Sequence, residues 1–172
     1  RYVRVDATRC IGCRTCEIAC AMAHKDGSEA LTSENFLPRL TVVRRGAITA
    51  PLLCRHCDDA PCAKACPAHV ISHVDGTIRI DESRCLGCKT CVAACPHEAI
   101  QMIQVPADSM PGTFVAHRMK SVAHKCDLCP EQANGPACIP VCPTKALKLV
   151  DRNELAATSR KRSDWSASSK SS

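Results

Sequence analysis

Large aromatic side chains are nearly absent from this sequence. Its 172 residues include one Trp, one Tyr and two Phe. The 45% hydrophobic content is inflated by Cys, Ala and Val, so side chains able to build an ordinary core are few. A small lobe with so little bulk needs metals or disulfides to hold it together. There is no apolar run of about 18 residues, which excludes a transmembrane helix. The opening stretch "RYVRVDATRC" carries neither an apolar leader region nor a twin-arginine pair, and Arg44-Arg45 reads as an internal surface pair. A cytoplasmic location is therefore expected, where free thiols favour metal binding over disulfides. Also missing are a Ser/His/Asp order, a phosphate-binding loop and paired carboxylates in a cleft, so no catalytic residue is expected.

Cysteine is what the chain has in excess. Its sixteen cysteines fall into four groups of four. Group one is Cys10, Cys13, Cys16 and Cys20; group two is Cys54, Cys57, Cys62 and Cys66. Group three is Cys85, Cys88, Cys91 and Cys95; group four is Cys126, Cys129, Cys138 and Cys142. Groups one and three read C-x2-C-x2-C-x3-C, group two C-x2-C-x4-C-x3-C and group four C-x2-C-x8-C-x3-C. Three cysteines on a tight loop wrap three irons of a cubane, and the trailing fourth ligates the other cluster of a pair. The fourth is expected to begin a helix, with the proline that follows it in groups two to four fixing φ at that helix or turn. Gly12 and Gly87 sit between ligands, where the backbone bends closely around the metal. Structural zinc does not call for a third cysteine and a trailing fourth repeated four times. A disulfide scaffold suits a secreted chain, and a catalytic thiol pair does not come with fourteen companions. All sixteen cysteines are thus expected to ligate iron in four [4Fe-4S] clusters, with no zinc.

The span between Cys66 and Cys85 bears on the pairing. Val70, Ile71 and Val74 lead to Asp75-Gly76, and Thr77 to Ile80 alternates as a strand does. Groups two and three therefore form one two-cluster unit. Groups one and four are left over, flanked by strand-like "YVRV" and "ALKLV". "PHEAIQMIQV" after Cys95 repeats the pattern of "PTKALKLVD" after Cys142. Pairing of the two terminal strands would close a second lobe around the first. The exchange rule then gives four ligand sets: Cys10, Cys13, Cys16 and Cys142; Cys126, Cys129, Cys138 and Cys20; Cys54, Cys57, Cys62 and Cys95; Cys85, Cys88, Cys91 and Cys66. The alternative pairs group one with two and group three with four.

The expected fold is thus α+β: two bacterial-type 2[4Fe-4S] ferredoxin-like lobes, one inserted in sequence within the other, with short helices, hairpins and long loops. Residues 1–23 plus 118–150 form the outer lobe and 54–105 the inner one. Residues 24–53 are a crossover segment with a strand and turn. Residues 104–125, with Pro106, Pro111 and Gly112, read as a loop, its centre at 106–117. Residues 151–172 are a polar, basic tail, disordered alone, with Trp165 a possible anchor to a partner. His56, between two ligands, reads as a hydrogen-bond donor beside a cluster. His24, His69, His73, His97, His117 and His124 show no pattern of a site. Arg14 and Lys89 occupy the same place in groups one and three and read as solvated charges. The formal charge of +6 does not point to nucleic acid. Each thiolate-bound cluster adds roughly −2, so four of them bring the total to about −2.

The order "CIGCRTCEIAC…CRHCDDAPCAKACP…CLGCKTCVAACP…CDLCPEQANGPACIPVCPTKAL" resembles the four-cluster ferredoxin-like iron–sulfur subunits of molybdenum and tungsten oxidoreductases. The dimethyl sulfoxide reductase, nitrate reductase and formate dehydrogenase subunits are of this kind. "CDDAPC", "GPAC…CPTKAL" and "VDRNEL" are most similar to the small electron-transfer subunits of formate dehydrogenase and formate hydrogenlyase. The likeness covers roughly residues 1–155. It implies a relay of single electrons between a molybdopterin-containing catalytic subunit, of the formate dehydrogenase kind, and a hydrogenase or other redox module. It also implies the nested pairing and, because Cys129 is kept where some relatives carry Trp, four irons in every site. Membrane-anchored relatives add a C-terminal helix that this chain lacks. Other subunits would then hold it at the inner face of the membrane. The rival readings are a freely diffusing polyferredoxin, an iron–sulfur assembly factor, and a subunit of a molybdoenzyme acting on another substrate.

Overall fold

The computed structural model describes residues 1–25, 30–106, 119–155 and 157. The chain repeats one phrase four times: a strand, a cysteine-bearing loop, a helix or turns, a trailing cysteine, and a second strand. Group one lies between β1 (Tyr2–Val5) and β2 (Thr41–Arg45), with helix α1 (Thr15–Ala23) carrying Cys16 and Cys20. Group two lies between β3 (Ile48–Leu52) and β4 (Ile71–Val74), with α2 (Pro61–Lys64). Group three lies between β5 (Thr77–Ile80) and β6 (Gln101–Pro106), with α3 (Thr90–Ala94). Group four lies between β7 (Met119–His124) and β8 (Leu147–Val150), with turns in place of a helix.

Each strand that leaves one group pairs antiparallel with the strand that enters the next: β2 with β3, β4 with β5, β6 with β7. The last pair, β8 with β1, closes the ring, with Tyr2 opposite Val150 and Val5 opposite Leu147. The expected meeting of the terminal strands is therefore present. So is the hairpin across Asp75-Gly76, both at positive φ, with Val74 opposite Thr77. Within the expected crossover segment, β2 and β3 form a full hairpin, Arg45 opposite Ile48.

Two expectations are corrected. Residues 104–125 are not a loop throughout, because β6 and β7 run to Pro106 and from Met119 and pair over six residues each. Pro106 stands at the last position of its strand, where a missing N–H costs little. Nor does the fourth cysteine begin a helix; α2 and α3 end before it. The residue before a proline is pushed out of the helical region, and Cys95, ahead of Pro96, is extended (φ −79°, ψ 112°). Proline then takes the second position of a tight turn. The N–H groups of His69, Glu98 and Lys145 donate to the carbonyls of Cys66, Cys95 and Cys142 at 3.2, 3.3 and 3.1 Å. Group one has Ala21 instead of proline after Cys20, and its helix runs on to Ala23.

Each proline turn delivers an apolar pair inward: Val70-Ile71, Ala99-Ile100 and Ala146-Leu147 are all buried. The buried residues form two clusters. One gathers Val3, Cys16, Cys20, Leu40, Val42, Leu53, Cys54, Ala99, Cys126, Cys138 and Leu147. The other gathers Ala60, Cys62, Cys66, Val70, Ile71, Ile78, Cys91, Ile100 and Ala123, and Cys95 touches both. The start of the expected tail is fastened: Asp151 accepts from Arg1 at 3.2 Å, and the Arg152 guanidinium lies 5.0 Å from the Tyr2 ring centroid. Pro111, Gly112, His117 and Trp165 lie outside the described residues.

Candidate metal centres

The cysteine loops share a backbone device. The residue before the second cysteine of every group has positive φ: Gly12 71°, His56 45°, Gly87 68° and Leu128 67°. So does the residue capping each helix, Arg14 at 61°, Ala60 at 37° and Lys89 at 64°. Left-handed residues alternating with right-handed ones make a concavity lined by N–H groups, which suits anions. Among the described residues, four backbone N–H groups donate to cysteine sulfur: Arg39 to Cys20 at 3.2 Å, His56 to Cys54 at 3.4 Å, Ala123 to Cys85 at 3.4 Å and Ala146 to Cys142 at 3.3 Å. The hydroxyls of Thr15 and Thr90 donate to Cys13 and Cys88 at 3.4 and 3.3 Å.

The loops bring thiols from different groups together. Cys10, Cys13, Cys16 and Cys142 line one recess of about 350 Å³, walled by Val42, Pro51 and Leu147. Cys66, Cys85, Cys88 and Cys91 line a second of about 350 Å³, walled by Val70, Ile71 and Met102. Cys20, Cys126 and Cys138 lie in one buried cluster, and Cys62 lies in the other with Cys95 packed against it. Cys57 is half-buried in the same loop as Cys54. The described residues thus place a cysteine from a partner group beside each loop: Cys142 at group one, Cys20 at group four, Cys95 at group two and Cys66 at group three.

A model of a 4Fe-4S dicluster domain matches residues 47–152, and one of a 4Fe-4S binding domain matches residues 7–23. The chain belongs to the 4Fe-4S dicluster family. It is 46% identical over 158 residues to the electron transport protein HydN of Escherichia coli (strain K12), covering 90% of each. It is 39% identical over 188 residues to formate hydrogenlyase subunit 2 of the same strain, covering 94% of this chain and 87% of the relative. It is also 42% identical over 162 residues to AegA of that strain, of whose length it spans 24%.

This dicluster protein binds [4Fe-4S] clusters, and its donor chemistry fits them. Burial pushes the thiols of Cys16 and Cys62 up to about 11 and that of Cys126 up to about 12. It raises Cys138, Cys54 and Cys91 as well. Crowded, desolvated sulfurs of this kind stay protonated unless a metal displaces the protons. The rim sulfurs Cys13 and Cys88 are lowered, chiefly by the hydrogen bonds from Thr15 and Thr90. His56 is fully buried, and burial holds its ring near pKa 3, hence neutral. Its Nδ1 accepts from the Ile78 N–H at 2.9 Å, which leaves the proton on Nε2 without a partner among the described residues. An orphaned donor on the group-two loop fits the hydrogen-bond-donor role expected of it.

Several charged residues near the cysteines carry no sequence signal of their own. His24 donates from Nε2 to Asp127 at 2.9 Å, and Arg39 binds the other oxygen of Asp127 at 3.1 Å. Burial opposes a charge on His24, but Asp127, Cys129 and Cys20 raise it to about 12. Buried Glu17 accepts from the Val42 N–H at 2.6 Å, tying α1 to β2. Lys125 is 3% exposed. Its place directly before Cys126 was the only hint of it. Arg14 and Lys89 are exposed, as read from the sequence.

Proposed function

We infer that this chain is a non-catalytic electron-transfer subunit holding four [4Fe-4S] clusters in two ferredoxin-like lobes, one inserted within the other. The observation that carries the reading is the placement of trailing cysteines beside the loops of other groups. Cys142 completes the recess of group one, and Cys66 completes that of group three. The two buried clusters of apolar residues support the lobes, and the β1–β8 pair supports the insertion. The four ligand sets are those expected from the sequence.

The clusters, when bound, supply one-electron redox chemistry. The residues of this chain order the sites. Cys13 and Cys88 are exposed, and the large side chains beside them, Ile11 and Leu86, are 67% and 71% exposed. The two recesses are therefore the points where redox partners approach. Cys20, Cys126, Cys129, Cys138, Cys54 and Cys62 are buried, and Cys126 and Cys54 lie in the same buried cluster. This supports a path from one recess through two buried sites to the other. N–H and O–H donors to sulfur favour the added negative charge, while burial opposes it.

One end of the path serves a molybdenum- or tungsten-pterin catalytic subunit of the formate dehydrogenase kind, the other a hydrogenase or second redox module. The likeness to HydN and to formate hydrogenlyase subunit 2 over nine-tenths of the chain supports this. Among the described residues no helix is long and apolar enough to cross a membrane. Anaerobic affinity purification from the native source tests the assignment. A stoichiometric pterin-containing dehydrogenase is the expected companion; an iron-loaded chain that consistently purifies alone would contradict it.

A further inference from the structure

Lys125 is a buried cation without a carboxylate. Its side chain is enclosed, and among the described residues no Asp or Glu pairs with it. An ammonium has three donors. One goes to the Ile78 carbonyl and one to the Cys126 carbonyl at 3.0 Å. The Ile78 N–H donates in turn to His56, which lies between Cys54 and Cys57, so the ammonium sits behind the group-two loop. Cys54 packs in the same buried cluster as Cys126, the residue that follows Lys125. Other charges nearby are already answered: Asp127 is held by His24 and Arg39, and Arg152 faces Asp58 at 3.5 Å. A lone buried ammonium costs several kcal/mol unless an anion compensates it. A cluster with four thiolates carries about −2 when oxidised and about −3 when reduced.

We propose that Lys125 is a fixed counter-charge that selectively raises the reduction potential of the cluster bound by Cys54, Cys57, Cys62 and Cys95. The inference rests on the ligand sets proposed above. Reduction there adds one electron and no proton, and no bond forms or breaks. The added negative charge meets the ammonium in a low-dielectric setting, so the reduced state gains more than the oxidised one. Lys125 is a positioning and tuning residue rather than a ligand. It differs from Arg14 and Lys89, whose charges lie in solvent and are screened.

The test is an EPR-monitored potentiometric titration of the anaerobically purified, iron-loaded protein, with electrons supplied from an electrode. Lys125→Met should make reduction of one cluster about tenfold less favourable, which is about 59 mV more negative for one electron. The other three should be unmoved, and Lys125→Arg should restore the original value. Four clusters with unchanged potentials in Lys125→Met would overturn the inference alone, as would an equal shift in Lys125→Arg. If Lys125→Met fails to assemble, loss of iron in it and in Lys125→Gln but not in Lys125→Arg would support the charge-balancing role. Equal loss in all three would overturn it. Fewer than four clusters in the unaltered protein would overturn the ligand assignment itself.

Discussion

Gly87 has no room for a side chain. A Cβ there would lie 2.5 Å from the Ser121 carbonyl oxygen on β7, and the backbone is at φ +68°. Gly46, in the β2–β3 turn, has a similar φ of +61° but faces open space. Replacing each by Ala separates the conformational cost from the steric one. Gly46→Ala should cost about 1 kcal/mol, and Gly87→Ala about 3 kcal/mol or more, because backbone must move. Thermal loss of the visible cluster absorption is the measurement; similar midpoints for the two variants would contradict the close approach. The two loop glycines were legible as bends around metal. The same left-handed turn at His56 and Leu128 was not, since neither residue type announces it. Lys125 was illegible because a lysine beside a cysteine is ordinarily a surface residue, and only burial gives it meaning.

At the scale of elements, the trailing cysteine is the decisive feature. Cys142 belongs in sequence to group four and in space to group one. Under the proposed ligand sets, Cys142→Ser should disturb the EPR signal of the surface cluster assigned to Cys10, Cys13 and Cys16. The buried group-four cluster should be left intact. Loss of the buried signal alone would contradict the exchange. The residue after that cysteine decides where the chain goes. Ala21 lies inside α1 and is 3% exposed. Ala21→Pro removes a helical N–H and should cost about 3 kcal/mol, read as a lowered denaturation midpoint; a variant as stable as the parent would contradict the account. The Asp-Gly hairpin and the terminal strand pair could be read from alternation and turn chemistry. The β6–β7 pair could not: "MKSVAH" lacks clean alternation, and twelve residues separate it from its partner. The helices were placed on the wrong side of the fourth cysteine because proline is as apt to start a turn as a helix.

The whole molecule has little to hold it without iron. Among the described residues, the largest fully enclosed side chains are Leu40, Ile78, His56 and Val122, and no large aromatic ring is among them. Nine of the sixteen cysteines are buried. Stripping iron with a chelator under reducing, anaerobic conditions should therefore unfold the chain, as metal binding and folding are one equilibrium in such domains. Far-ultraviolet circular dichroism would follow it, and an iron-free protein with unchanged ellipticity would refute the dependence. That architecture was visible early, because sixteen cysteines in four spaced groups leave few alternatives. The identity of redox partners was visible only through resemblance, since it lies in surfaces of other chains. The central claim is the number of clusters. Iron and acid-labile sulfide should be counted per chain in anaerobically purified protein. The account predicts about sixteen of each; about eight, or zinc in place of iron, would contradict it.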